Sequence, residues 1–516
     1  DFGKRIFLNS MKISNFSKIS TNIFGSRVTG FIRDILFANY LGANLMSDAF
    51  LFAFRLPNLF RRIFAEGSMN SVFIPLYVNQ EKINSKMAKD FIWIIFNFFF
   101  VITLFISFLI FLFSEQVISI LAPGFLLNKG QFLFANELLN ITFPFLIFVT
   151  LSSVLSSVLN VKGKFFLPSF LSVILNIFMI SSLVIFKSES HFALAWSMIV
   201  AGFTQLILLF INIGAIKIFW STGLKSIIEL SSQLKKFFQR FLYSLLGSGI
   251  VQLNIFISML FASLVGEGAI SQIYFADRVI DLPFALIAVA MSFTLLPYLS
   301  KNISDESKNS KAFNQTVIFC FLFAIPSAFG IFILSEDIIR VLFGRGEFNS
   351  NDVSITSKIL LIYSFSLPGY MLARVFNQVF YSYEKVEYPV KAAVPTFICN
   401  LILCFLLYKP LGVIGLAIAG AISVWLNLFI QIHYLKKHFN SFFEKILIFD
   451  FNKLIKILIS TFTMTVSILV IKKIINLNMY YDIIIQILIG LVIYFLLLKW
   501  LKLSELKLIF QLKKFN

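Results

Sequence analysis

Apolar residues in this chain come in long runs, separated by short stretches rich in Lys, Asn and Ser. A run of about 18 residues is the length of a helix crossing a bilayer, and about fourteen such runs can be marked out. They lie near 14–41, 47–79, 91–113, 133–159, 165–186, 192–217, 234–265, 270–300, 312–334, 353–380, 388–408, 411–435, 454–475 and 480–500. Lys and Arg alternate in density from one connection to the next, about 29 on one side against about 7 on the other, which predicts both termini in the cytoplasm. An all-α polytopic membrane protein follows.

The longest cytoplasmic connection before the second half, KIFWSTGLKSIIELSSQLKKFFQR, separates six spans from eight and is amphipathic enough to lie on the membrane surface. Weak internal similarity supports two lobes. FIPLYVNQ at 73–80 is echoed by LLPYLSKN at 295–302, each closing the second span of its half. The expected division is an N-lobe over 11–217, the linker over 218–240, a C-lobe over 241–437, and a final helix pair with a basic tail over 438–516. Residues 1–10 read as a non-native or alternative-start extension, too polar and short for a signal peptide.

Composition agrees: 516 residues, 59% hydrophobic and 13% charged, with a mean hydropathy of +0.89. The net charge of +19 does not call for nucleic acid, because the lysines sit mostly in loops where they set orientation. Cys320, Cys399 and Cys404 lie within apolar runs, and His191, His433 and His438 are scattered; neither set has metal-binding spacing. Catalytic residues, a metal and a cofactor are therefore not expected.

The first two spans break the apolar rule. They carry Arg27, Arg33, Asp34, Asp48, Arg55, Arg61, Arg62 and Glu66. A charge near the bilayer centre costs roughly 2.5–3.5 kcal/mol, so such residues face a polar cavity or one another. Arg27 and Asp34, seven apart, project from nearly one face, while Arg33 points about 120° away. Asp48, Arg55 and Arg62 recur every seven residues and Glu66 follows at i+4, but Pro57 kinks the helix between them. Two readings stand. Either the charges pair or snorkel to the interface, as Arg62 and Glu66 could, or the surplus of Arg27, Arg33 and Arg61 awaits an anion. Guanidinium forks suit phosphate oxygens, so a phosphate or diphosphate is the ligand favoured.

In the eighth span, YFADRVIDLP sets Asp277 and Asp281 on one face with Arg278 between them. This is a self-neutralising cluster or a second-lobe contribution to the same cavity. Arg374 is a further buried candidate. LGVIGLAIAGAIS reads as tight helix packing. RVLFGRGEF, with Arg340 and Arg345, lacks the context of a nucleotide-binding loop.

Taken in order, SRVTGFIRD, SDAFLFAFRLPNLFRRIFAEGS, APGF, YFADRVIDLP, LFGRGEF and FYSYEKVEYPVK resemble the MurJ (MviN) family of lipid II flippases. The resemblance implies a MOP-superfamily transporter. Its fold would be two pseudo-symmetric six-helix lobes around a V-shaped cavity, with two extra C-terminal helices forming a hydrophobic groove for a lipid tail. It also implies substrate-binding roles for Arg27, Arg33, Asp34, Asp48, Arg61, Glu66 and Arg278, with only the charge required at Arg55. Lys385, four residues before Pro389, stands where the family usually carries an acidic residue tied to cation binding. A sodium site of that kind is not expected.

The implied function is flipping of lipid II, an undecaprenyl-diphosphate-linked disaccharide pentapeptide, from the inner to the outer leaflet of the bacterial cytoplasmic membrane. A monomer contacting membrane lipids would use alternating access, driven by membrane potential or an ion gradient. Three rival functions stand beside it: a flippase for another polyprenyl-diphosphate-linked glycan, a MATE-like small-solute antiporter, and a membrane glycosyltransferase or polymerase. The antiporter would want an acidic cavity, and the enzyme would need outer carboxylates or a metal loop.

Overall fold

The computed structural model describes residues 13–62, 72–213, 228–440, 442, 444, 450–474, 478–503 and 505–506. Glu66, residues 1–10 and most of the expected linker lie outside the described residues. Each of the fourteen expected spans is helical over most of its described length, with a turn at Phe143 and Pro144 inside the fourth, and there is no strand among the described residues. Eight helical segments are long and apolar enough to cross a membrane, and two of them, Phe166–Ile213 and Glu387–His438, each enclose two expected spans.

The chain divides into two compact units, one of residues 1–271 with Gly346–Phe348, the other of Gln272–Arg345 with residues 349–516. In the first unit the helices are α1 (Ile13–Leu41), α2 (Leu45–Arg61), α3 (Ile74–Ile83), α4 (Ser85–Leu112), α5 (Ser114–Leu121), α6 (Lys129–Thr142), α7 (Phe145–Val161), α8 (Phe166–Phe186), α9 (Ser190–Ile213) and α10 (Ser231–Val265). Its aromatic core joins Phe73, just before α3, and Phe91, Trp93 and Phe99 of α4 to the start of α10. Leu230, Leu234, Phe237 and Phe241 are buried there, so the apolar side of the linker's last residues packs on helices of this unit. A 3-10 turn at Pro123–Leu127 runs under α10, and a Cβ on Gly124 would lie 1.8 Å from the carbonyl oxygen of Ser263. The segment Gly346–Phe348 clasps the end of α1: the Glu347 amide donates to the Asn39 carbonyl at 3.0 Å. Gly346 sits there at φ +58, where a side chain would be strained and would collide with Asn39.

The break between units falls inside α11 (Ala269–Phe284). The second unit continues through a π-helical turn (Ala285–Val289), α12 (Ala290–Lys301), α13 (Glu306–Leu342), α14 (Ser350–Ser382), α15 (Glu387–His438), α16 (Phe451–Ile474) and α17 (Met479–Trp500). α15 is two spans merged across a kink at Gly412. Ala417 and Ala419 are fully buried, as the small-residue pattern predicts. Arg345 caps its own helix: its guanidinium donates to the carbonyls of Val341 and Leu342 at the end of α13. Arg340 pairs with Glu336.

α16 and α17 share a core with Ile318, Leu322, Ile325 and Leu334 of α13. The contact has a specific cause. Pro326 has no N–H, so the carbonyl of Leu322, one turn earlier, lacks its helical donor. The Tyr494 hydroxyl donates to it at 2.6 Å. Tyr494→Phe is expected to leave that buried oxygen unsatisfied at a cost of about 1–3 kcal/mol. A lowered thermal midpoint of the detergent-purified protein would register it, and an unchanged midpoint would refute it.

Candidate functional site

Arg33 and Asp34 are both buried, and they meet each other. Nε and Nη2 of Arg33 donate to one carboxylate oxygen of Asp34 at 3.0 and 2.7 Å. Nη1 donates to the Asn176 side-chain oxygen at 3.0 Å and lies 3.8 Å from the Met179 sulfur, while the guanidinium carbon sits 5.4 Å from the Phe54 ring centre. A buried ion pair recovers its desolvation cost only when its remaining valences are satisfied. Asn176 of α8 does this. Its amide nitrogen donates to the Ser26 carbonyl and the Thr29 hydroxyl, both at 3.1 Å, so one side chain seams α1 to α8. The helical-wheel argument separated Arg33 from Asp34. The long Arg side chain closes that gap by folding back along its own helix.

Asp48 occupies another kind of place. It is buried at the start of α2, where one carboxylate oxygen accepts from the Ser271 amide at 2.8 Å and the Ser271 hydroxyl at 2.6 Å. It therefore seats its carboxyl group on the N-terminal turn of α11, where free N–H groups need an acceptor. Both carboxylates among residues 26–62 are thus engaged, one by Arg33 and one by a helix terminus. Arg27 is exposed and forms no hydrogen bond or ion pair with a described residue. Arg61 is half-buried, its Nε donating to the Asn58 side-chain oxygen at 3.2 Å. Arg62 is exposed and Arg55 half-buried, so the heptad of Asp48, Arg55 and Arg62 runs from buried to exposed along α2.

In the second unit Arg278 lies over the ring of Tyr274 at 4.5 Å and donates to its hydroxyl at 3.0 Å. Asp277 is half-buried beside it. Arg374 is exposed, not buried as expected, while its neighbours Ala373 and Val375 are buried in the core. Lys385 is exposed on the turn before α15, 4.0 Å from Glu387. No group of acidic, His or Cys residues suited to a metal occurs among the described residues. The sequence reading passed over Asn176 and Asn58, although an Asn inside an apolar run is itself a signal of a polar partner.

Two compact all-α units with helices long and apolar enough to cross a membrane, and more guanidinium than carboxylate on the first two helices, define a polytopic membrane protein. An inward-facing multidrug resistance MATE family transporter of the MOP superfamily shares the fold, with a TM-score of 0.64 at 14% identity over 81% of this chain and 95% of that one. The profile of the lipid II flippase MurJ family matches residues 37–490. A probable lipid II flippase MurJ of Aquifex aeolicus is 35% identical over 376 residues, 72% of this chain and 73% of the relative. One from Buchnera aphidicola of Schizaphis graminum is 35% identical over 447 residues, 85% and 86% of the two chains. A solved lipid II flippase MurJ in an inward closed conformation superposes with a TM-score of 0.77 at 27% identity, over 96% of this chain and 99% of that one. The chain belongs to the MurJ family.

Proposed function

We propose that this protein carries lipid II from the inner to the outer leaflet of the bacterial cytoplasmic membrane by alternating access, without a chemical step. Its diphosphate would be taken by Arg27 and Arg61 of the first unit, and Arg278 of the second unit is a further candidate for binding the substrate. The observation that carries this reading is the charge balance of α1 and α2: five arginines stand against two carboxylates between residues 26 and 62, and both carboxylates are already engaged. Arginine keeps its proton in a membrane interior and grips phosphate oxygens bidentately. In this reading Arg33 and Asp34 stiffen the α1–α8 seam and contribute field, and Asp48 anchors α11. The alternation of basic loops supports cytoplasmic termini.

The lipid tail would lie along α16 and α17, whose Phe462, Val466, Leu488 and Val492 are exposed, and the protein would act as a monomer among membrane lipids. Moving negative charge toward the positive outer face gains about 2.3 kcal/mol per charge per 100 mV, so membrane potential can drive the cycle without a cofactor. No ion site is proposed at Lys385, whose ammonium would repel a cation. A MATE-like exchange of cations is disfavoured by the sign of the charge on α1 and α2.

Complementation tests the proposal. Expressed in a bacterium depleted of its own lipid II flippase, the chain is expected to restore lipid II labelling at the outer surface. Arg27→Glu, at a side chain that makes no hydrogen bond or ion pair with a described residue, should reduce that labelling at least about tenfold with protein level unchanged. A well-expressed wild-type chain that restores nothing would remove lipid II as the substrate and leave another polyprenyl-diphosphate-linked glycan as the cargo to test.

A further inference from the structure

α2 passes through Pro57 without a break in its helical assignment, and this creates a local debt of hydrogen bonds. Proline donates no N–H, so the carbonyl of Ala53, four residues earlier, loses its partner. Ala53 is fully buried, where an unsatisfied carbonyl costs about 1–3 kcal/mol. The donor comes from another helix. Thr142, the last residue of α6 and itself fully buried, points its hydroxyl at the Ala53 oxygen at 2.9 Å. The usual local partner of a helical Thr, here the Leu139 carbonyl, lies farther off at 3.4 Å.

The next carbonyl of the same turn is also met by a side chain. Asn58 donates its amide to the Phe54 oxygen at 2.8 Å, and its own side-chain oxygen accepts from Arg61 Nε at 3.2 Å. Phe60 then packs edge-on against Phe143, the residue after Thr142, with ring centres 5.5 Å apart. Pro144 opens the gap between α6 and α7 at this level. The opened turn of α2 is therefore fastened to the break between two other helices, and the fastening runs through Asn58 to an arginine.

We propose that Thr142 is a positioning residue for Arg61: by donating to the carbonyl that Pro57 orphans, it sets the bend of α2 and hence the direction of the guanidinium beyond it. The inference rests on the role proposed for Arg61. Without the hydroxyl, α2 would relieve the bare carbonyl by changing its bend, and the last turn would swing.

The test separates the two claims. In a background with Cys320, Cys399 and Cys404 replaced by alanine, spin labels at Met46→Cys and Arg62→Cys, both exposed positions, report the span of α2 by pulsed electron resonance on purified protein without substrate. A straight helix would place them about 24 Å apart. Thr142→Val, which keeps shape and loses the hydroxyl, is expected to shift or broaden that distance by about 2 Å or more. Thr142→Ser should hold the parental value. In a Pro57→Ala background, where residue 57 supplies its own N–H, Thr142→Val should change nothing further. Without labels, Thr142→Val should lower outer-surface lipid II at least about fivefold at equal protein level, with Thr142→Ser restoring it. An unchanged label distance in Thr142→Val overturns the inference whatever the export result, and so does a shifted distance with undiminished export. Failure of the wild-type chain to export lipid II would instead strike the proposed function, while the label distances still decide whether Thr142 sets the bend.

Discussion

Arg33→Ala is expected to destabilise the folded protein by about 3–5 kcal/mol, because it leaves the Asp34 carboxylate buried without its cation. All three guanidinium nitrogens of Arg33 are engaged, and Asn176 would lose the donor to its side-chain oxygen at the same time. The measurement is the yield of monodisperse protein after detergent extraction, together with its thermal midpoint. Removing both charges should do less harm than removing one, since a buried pair exchanged for apolar groups of similar size is often neutral. Arg33→Met with Asp34→Leu is thus expected to recover most of the folded protein and most of the export, the direct phosphate contacts being ascribed to Arg27 and Arg61. A well-folded double variant that exports nothing would return Arg33 to the substrate.

Gly124→Ala is expected to have the second large effect. A methyl there would lie 1.8 Å from the Ser263 oxygen, 2.2 Å from its carbon and 2.7 Å from the Leu264 nitrogen, all backbone atoms of α10. No rotamer change relieves such a contact, so the 3-10 turn or α10 must move. The Gly124 amide would then lose its 3.1 Å donation to the Ser263 hydroxyl oxygen. Overpacking of this kind costs about 1–3 kcal/mol and at times more, and the upper end is expected here. Ser263→Ala, which loses the acceptor and the hydroxyl's own bond to the Leu260 carbonyl without adding a clash, should cost about 1 kcal/mol. Equal thermal midpoints for Gly124→Ala and the wild type would show that the approach of turn and helix is not needed.

What could be read ahead of the structure follows from which forces are local. The helices were legible because each span carries its own apolar length, and the loop lysines gave their alternation. The unusual charge of α1 and α2 was legible for the same reason: Arg27, Arg33, Asp48 and Arg61 stand out against apolar neighbours in one dimension. Their partners were not. Asn176 reaches Arg33 from 143 residues away and Ser271 reaches Asp48 from 223 residues away, so no spacing rule along a single helix could have found them. Pro57 announces a kink, yet nothing near it says that a threonine on α6 will supply the missing donor. Arg374 was misplaced because a polar residue inside an apolar run can face outward as readily as inward, and sequence period alone does not choose between them.

The bond from Tyr494 to the Leu322 carbonyl joins residues 172 positions apart, and that separation has a consequence for biogenesis. At 5–20 residues per second, a ribosome delivers the tyrosine on the order of ten to thirty seconds after the proline-broken turn of α13 has been made. Throughout that interval the Leu322 carbonyl has no tyrosine to accept from, and only the arrival of α17 supplies it. Hydrogen bonding of α13 is therefore completed by a helix made much later, and a ribosome stalled before α17 would leave the protein marked by an open oxygen.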